Sequence, residues 1–323
     1  MEVTNTMLIR KMNIEKVRSA LLKNNGLTKN EICQATGLSL ASCTNLLKIL
    51  KESGEIKKIV DCESTGGRKA KRYFINEQYE LVLTVILSRR FDEGFYAEYR
   101  LIDLSGNIIE AQNYQTNDKV NEYIIEVCTK FFKEHDNIKA IGLSVAGIIS
   151  DDTIVNSGND PFITYDLEEE LHELFQVPVM LENDVNIATL GYASQMENED
   201  TSIALVDYYL GAGYYNRGRV ITGKHHFAGE IAYFPTEREE MIFTHFGGKK
   251  HVEFLAKACI GFISLVDPDK VVLVGLKKEG YQDAIKYIKD RVPAKYLPEL
   301  ILVKSKEDLI LKGIIQMTLS LLK

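Results

Sequence analysis

The apolar positions along this chain change their spacing partway through. In I-E-K-V-R-S-A-L-L-K, residues 14–23, Ile14, Val17, Leu21 and Leu22 recur at helical spacing, and Gly26 predicts the stop. In L-T-K-N-E-I-C-Q-A-T-G, Thr28 with Glu31 three residues on makes a capping box, Ile32 and Ala35 are expected to face inward, and Gly37 closes the helix. Ser39 caps a third helix, L-A-S-C-T-N-L-L-K-I-L-K-E-S, which Gly54 terminates. Its apolar face is Cys43, Leu46, Leu47 and Leu50, and its other face holds Leu40, Ala41, Thr44, Asn45 and Lys48. Then E-I-K-K-I-V-D-C, the turn E-S-T-G-G-R-K-A and K-R-Y-F-I-N predict strand, Gly-rich turn and strand.

From Tyr79 onward strand and helix patterns alternate. L-V-L-T-V-I-L, F-Y-A-E-Y-R-L-I-D-L and I-I-E-A-Q-N-Y predict strands, with S-G-N at 105–107 as a turn. Helices are predicted over 119–134 and 166–175. Buried strands are predicted at 140–150, at V-P-V-M-L-E-N-D, at 202–209 and at 270–275. Such alternation argues for α/β layers. No internal repeat or low-complexity segment is visible.

Two short helices joined by a tight Gly-containing turn form the helix-turn-helix pattern. Small and amide side chains at the start of the third helix suit a major groove, where Asn45 can make a bidentate contact to adenine and Leu40 and Ala41 can touch thymine methyls. Arg68, Lys69, Lys71 and Arg72 make the hairpin a basic wing placed to reach phosphates or a minor groove. Taken alone, the hairpin is equally consistent with a solvated charged turn; a lesser alternative for the three helices is an unrelated small bundle for protein contacts.

Composition sharpens this division. The 323 residues suggest two or three domains, and 45% hydrophobic content is enough to bury a core. Residues 1–77 hold 14 Lys/Arg against 8 Asp/Glu, and residues 78–323 hold 25 against 38, so a net charge of −7 conceals a basic module on an acidic body. Nothing resembles a membrane span or a secretory signal, so a cytoplasmic location is expected. The five cysteines, at 33, 43, 62, 128 and 259, form no close pairs and are expected to be buried free thiols.

One cluster carries candidate chemistry. In M-L-E-N-D-V-N-I-A-T-L-G, residues 180–191, Asn183 and Asp184 stand at the end of a predicted buried strand, where α/β proteins place binding groups. An Asx turn closing the strand would give the same pattern. In order, L-T-K-N-E-I-C-Q-A-T-G-L-S, S-T-G-G-R-K, I-D-L-S-G-N-I-I, I-G-L-S-V-A-G-I-I, E-N-D-V-N-I-A-T-L-G, L-G-A-G, A-G-E-I and L-V-D-P-D-K-V-V-L-V-G resemble the ROK family (repressors, open reading frames and kinases) from about residue 13 to about 276.

The resemblance implies an N-terminal winged helix-turn-helix followed by a two-lobed hexokinase/actin-like (ribonuclease H-like) α/β body. It implies that Asp184 stands at the general-base position of the family's sugar kinases. It also implies that Asn183 and Glu230 face sugar hydroxyls, with Tyr233 where the family has histidine. The departures are large. The first strand, L-V-L-T-V-I-L-S-R-R-F-D-E-G-F, lacks the D-x-G-x-T loop that holds Mg²⁺ and phosphate, and only G-A-G at 211–213 remains of the second nucleotide loop. The cysteine run of the family's zinc element is absent, and His225, His226, His245 and His251 are expected to be surface or structural.

The expectation is a DNA-binding module over residues 1–77 and a ligand-sensing, dimerising body over 78–323. The body's lobes would span about 78–186 and 187–300, and a C-terminal helix would return to the first. DNA contacts are expected from Ser39, Leu40, Ala41, Thr44, Asn45, Lys48, Gly67, Arg68 and Lys69. Ligand contacts are expected from Asn183, Asp184, Glu230 and Tyr233. No enzymatic activity, metal or cofactor is expected. The expected partners are an inverted-repeat duplex DNA, a sugar-like effector and a second copy of the chain.

Overall fold

The computed structural model describes residues 5–24, 26–62, 70–90, 94–116, 120–150, 153–155, 167–234 and 247–322. Helix α1 (Asn5–Leu22) starts well before the periodicity at Ile14, and its first turns expose Met7, Leu8, Ile9 and Met12. A short strand β1 (Leu27–Thr28) leads into α2 (Lys29–Thr36) and α3 (Leu40–Glu52). The capping box is closed: Glu31 N–H donates to Thr28 Oγ1 at 3.3 Å, and Thr28 N–H to Glu31 Oε2 at 2.7 Å. Strands β2 (Ile56–Cys62) and β3 (Ala70–Ile75) complete an antiparallel sheet of order β1-β3-β2. Val17, Leu21, Ile32, Cys43, Leu47 and Leu50 fill its core.

Two local expectations need correction. Ala35 is exposed, because α2 is only eight residues long and buries Ile32 alone. Arg72 is not free for a phosphate: its guanidinium donates to the Gly26 carbonyl at 2.6 Å and pairs with Glu31 at 3.1 Å. Gly67, Arg68 and Lys69 lie outside the described residues.

The first lobe contains β4 (Leu81–Arg90), β5 (Gly94–Asp103), β6 (Ile108–Thr116), α4 (Val120–Glu134), β7 (Ile138–Val145), the small pair β8 (Ile148–Ser150) and β9 (Thr153–Val155), α5 (Leu167–Phe175) and β10 (Val179–Asn183). The second contains α6 (Asp184–Ala193), β11 (Ile203–Asp207), β12 (Ala212–Asn216), β13 (Arg219–Val220), α7 (Gly248–Val266), β14 (Lys270–Val274), α8 (Lys278–Lys289), β15 (Glu299–Val303) and α9 (Glu307–Ser320). The sheets run β10-β7-β4-β5-β6 and β13-β12-β11-β14-β15. Numbered along the chain, both have the order 3-2-1-4-5, with only the second strand antiparallel to the rest of its sheet. The body is thus a duplicated unit, although no repeat is visible in the sequence. The two halves keep a topology while sharing no residue pattern.

Helices α6 and α9 lie between these sheets. Val185, Ile187 and Ala188 of α6 join Leu309, Ile310, Ile314 and Met317 of α9 in one core against β11 and β14. On its other side α9 sets Ile315 and Leu319 against Val82, Ile102 and Ala140 of the first sheet. The helices cross at backbone distance: a Cβ on Gly191 would collide with the Leu309 carbonyl, and one on Gly313 with the Ile187 carbonyl. Cys43, Cys128 and Cys259 are buried free thiols and Cys33 is half-buried. Burial pushes the Cys128 and Cys259 thiols up to about 12, against a smaller opposing backbone hydrogen bond at Cys259.

The crossing sets a test. Gly313→Ala and Gly191→Ala meet rigid backbone, so each should lose about 1–3 kcal/mol or more in chemical denaturation. Gly280→Ala, whose methyl would meet side-chain methyls of Leu276 and Val252, should change stability by less than about 1 kcal/mol.

Candidate functional site

Two faces carry the expected residues. On α3, Ser39 caps the helix, its Oγ accepting from Ser42 N–H at 3.2 Å. Leu40, Ala41, Thr44 and Asn45 are exposed beside it, and Leu40 keeps 54% of its surface in solvent. Lys48 stands one turn on, loosely paired with Glu52 at 3.7 Å. The opposite face is sealed by Cys43, Leu46, Leu47 and Leu50. A helix anchored on one side, with small polar groups at its open N-terminal end, has the form of a major-groove reader.

The second face is the junction of β10 and α6. The strand ends at Asn183, whose side chain starts the helix. Asn183 Oδ1 accepts from Val185 N–H at 2.8 Å and Asn186 N–H at 3.2 Å, and its amide donates to the Gly147 carbonyl at 2.7 Å. This is the Asx alternative, and it spends Asn183 internally. Asp184 is then the first residue of α6, where the helix dipole favours a carboxylate.

Asp184 is not free either. Lys306, at the N-cap of α9, places its ammonium 2.7 Å from Asp184 Oδ2 and 2.8 Å from Asp207 Oδ2. Burial alone would depress the ammonium, but Asp184 and Asp207 more than offset this and hold it above the ordinary lysine value. The same burial pushes Asp207 upward against the pull of Lys306. Lys306 and Asp207 escaped the sequence reading. Asp207 had a signal, a lone carboxylate closing the buried run I-A-L-V-D, which requires a buried counter-ion. Lys306 had none, since it lies 99 residues further along the chain.

Glu230 approaches this cluster from A-G-E-I. The Ala212 N–H donates to the Gly229 carbonyl at 2.8 Å, docking the segment beside β12. Glu230 is half-buried, and among the described residues its carboxyl has no hydrogen-bond partner. Burial, and secondarily the charge of Asp184, pushes it up to about 7. Tyr233 is 61% exposed and leans on Phe227, with ring centroids 5.1 Å apart. The charge of Asp184 is thus near enough to act on Glu230, and Tyr233 stays exposed.

The remaining family elements have structural uses. Cβ atoms on Gly211 and Gly213 would strike Val185 and Thr189 of α6, so G-A-G is needed for close packing whether or not it meets a nucleotide. His225 and His226 are exposed, and His251 is buried with its Nε2–H donating to the Tyr208 carbonyl at 2.8 Å. His245 lies outside the described residues. Among the described residues, one group of three metal-capable side chains exists, Glu110, Glu134 and His135, and it contains no cysteine.

A winged helix on a duplicated ribonuclease H-like body defines a class: a DNA-binding module fused to a hexokinase-like fold. Residues 94–247 match the ROK family, and residues 16–57 match a winged helix-turn-helix DNA-binding family. By these matches the chain resembles ROK family proteins over one segment and winged helix-turn-helix DNA-binding modules over the other. It is 23% identical to the xylose repressor of Bacillus spizizenii over 305 residues, covering 88% of this chain and 74% of that one. It is 23% identical to the DNA-binding transcriptional dual regulator NagC of Escherichia coli K12 over 253 residues, covering 73% of this chain and 60% of that one. The crystal structure of a ROK family transcriptional regulator, a homolog of the E. coli MLC protein, superposes with a TM-score of 0.68 at 15% identity over 96% of this chain and 99% of that one.

Glu230 makes stability depend on pH. The folded chain keeps its proton to about pH 7, while the unfolded chain releases it near the ordinary value of 4.5. Its contribution is therefore complete below 4.5 and is lost as pH rises through 7. Glu230→Gln should melt higher than the wild type at pH 8, by about 1 kcal/mol once solvent screening is allowed for, with the gap closing by pH 4. Thermal melts of both proteins across that range measure it.

Proposed function

We propose that this protein is a transcriptional repressor that binds duplex DNA through α3 and the wing and releases or retains it according to a sugar-like effector in the cleft. One observation carries the reading most directly. Asp184, at the position of the kinase base, is held by an internal lysine, while α3 presents an unspent polar face. A base paired to a buried ammonium is poorly placed to take a proton from a hydroxyl. Phosphoryl transfer also needs bound phosphate and metal, and the sequence of β4 and the residues after it lacks the D-x-G-x-T pattern that would hold them. A xylose repressor and NagC as relatives support the same reading. The effector would contact Asp184, Glu230 and Tyr233. DNA contacts would come from Ser39, Leu40, Ala41, Thr44, Asn45 and Lys48, with Gly67, Arg68 and Lys69 on the wing.

One helix-turn-helix reads few base pairs, so a homodimer on an inverted repeat supplies the specificity. None of the described helices is long and apolar enough to cross a membrane. A second reading is a regulator whose body only dimerises. It draws on the internal use of both Asn183 and Asp184. A thermal-shift screen with sugars separates the two, since only the first predicts stabilisation by a ligand.

Asn45→Ala should cost about 1–3 kcal/mol on the selected operator and relax one base position, whereas Lys48→Ala should weaken binding to all sequences and flatten its salt dependence. Titration of labelled duplexes at several salt concentrations reads both, and equal affinity of Asn45→Ala and wild type would remove α3 as the reading helix. Purified protein should transfer no phosphate from ATP and Mg²⁺ to hexoses or amino sugars. Turnover abolished by Asp184→Ala would overturn the non-enzymatic assignment.

A further inference from the structure

Lys306 joins elements that share no continuous backbone. Asp184 follows the last residue of β10, in the first sheet. Asp207 closes β11, the first strand of the second sheet, and Lys306 opens the helix packed between the two. A buried cation is tolerated only while it is paired, so the position of this ammonium and the position of α9 are linked. At its far end α9 faces the DNA-binding module across a groove. Ile315, Gln316 and Leu319 line a groove of about 480 Å³ whose other wall includes Arg18, Ser19 and Leu22 of α1. Fourteen helical residues span about 21 Å, enough to connect the cleft with that groove.

We propose that Lys306 reads the effector: a hydroxyl of an uncharged polyol takes over Asp184, the ammonium is left to Asp207, and α9 carries the shift to α1 of the winged helix. This rests on the sensor reading above. A neutral hydroxyl suits the exchange because it can donate to Asp184 in place of the ammonium without adding charge to a cluster that already holds two carboxylates. Glu230, beside Asp184 and unpartnered among the described residues, is placed to take a second hydroxyl. The exchange breaks no covalent bond and needs no co-reactant. A ligand moves the equilibrium only by binding the two arrangements unequally, and the ion pair to Asp184 is the contact that differs between them.

The experiment uses the full chain and a duplex that it selects from a random pool, with D-xylose and N-acetylglucosamine as probes. In the wild type, a saturating sugar should shift duplex affinity about fivefold or more. Lys306→Met should show the shifted affinity without sugar and no further response, while calorimetry still detects sugar binding; Lys306→Arg should keep the response. Asp207→Asn leaves the ammonium to Asp184 alone, so it should raise the sugar concentration needed for the shift. A folded Lys306→Met protein that responds like the wild type overturns the proposal. If Lys306→Met does not fold, an unchanged sugar midpoint in Asp207→Asn overturns it. A wild type that responds to neither sugar removes the proposal together with this effector class. A responsive wild type beside an equally responsive Lys306→Met removes the lysine's role alone.

Discussion

The crossing of α6 and α9 is the constraint on which the rest of the body depends. Each helix gives up a side chain so that the other's backbone can approach, at Gly191 and Gly313. That closeness lets two helices serve two sheets, with one face of α9 on β11 and β14 and the other on β4, β5 and β7. It also brings the N-termini of both helices to one place. Asp184 opens α6 and Lys306 precedes α9, so the ion pair between them follows from the packing. Close-packed interiors do not deform continuously, so a change at this junction has few places to go except along the helices.

How much of this was legible in the sequence depended on the range of the interaction. Thr28 with Glu31, Ser39 before Leu40 and the inward set Cys43, Leu46, Leu47 and Leu50 are local patterns, and the structure forms each one. Ala35 was misjudged because helical periodicity assigns a face but cannot say whether another element covers it. The fate of Arg72 was hidden for a similar reason, since its partners, Gly26 and Glu31, come from a strand-and-helix start 41 or more residues earlier. The duplication of the two sheets left no sequence trace at all, because register and strand order constrain burial without fixing residue identity.

The E-N-D cluster shows where a motif and its chemistry separate. Asn183 and Asp184 could be located from the apolar run that precedes them, but not what they would bind. Asn183 proved to be a helix cap, and Asp184 the partner of a lysine 122 residues away. The two readings of Asn183, as an Asx turn and as part of a pocket, were never exclusive, because a cap with both its oxygen and its amide satisfied fixes the residue next to it. The capped strand end holds Asp184 at the first turn of α6, and the cleft's charge is arranged around that point.

Electrostatics then explains what such a cleft can and cannot do. A kinase site must present cations and backbone amides to phosphate and leave a carboxylate free to take a proton. Here Lys306, the lysine of the junction among the described residues, faces carboxylates on both sides, and the G-A-G segment packs closely against α6. Glu230 remains, and with its carboxyl pushed up to about 7 both of its forms are populated near neutrality, so it can donate a hydrogen bond as well as accept one. On the proposed reading, a site with internally neutralised charge, one adaptable carboxyl and an exposed phenol nearby in the chain would hold a polyol by hydrogen bonds and release it unchanged. That is the chemistry a sensor needs. The neutralising lysine sits at the start of the helix whose far end lines the groove against α1, which is why the proposed coupling runs through that helix.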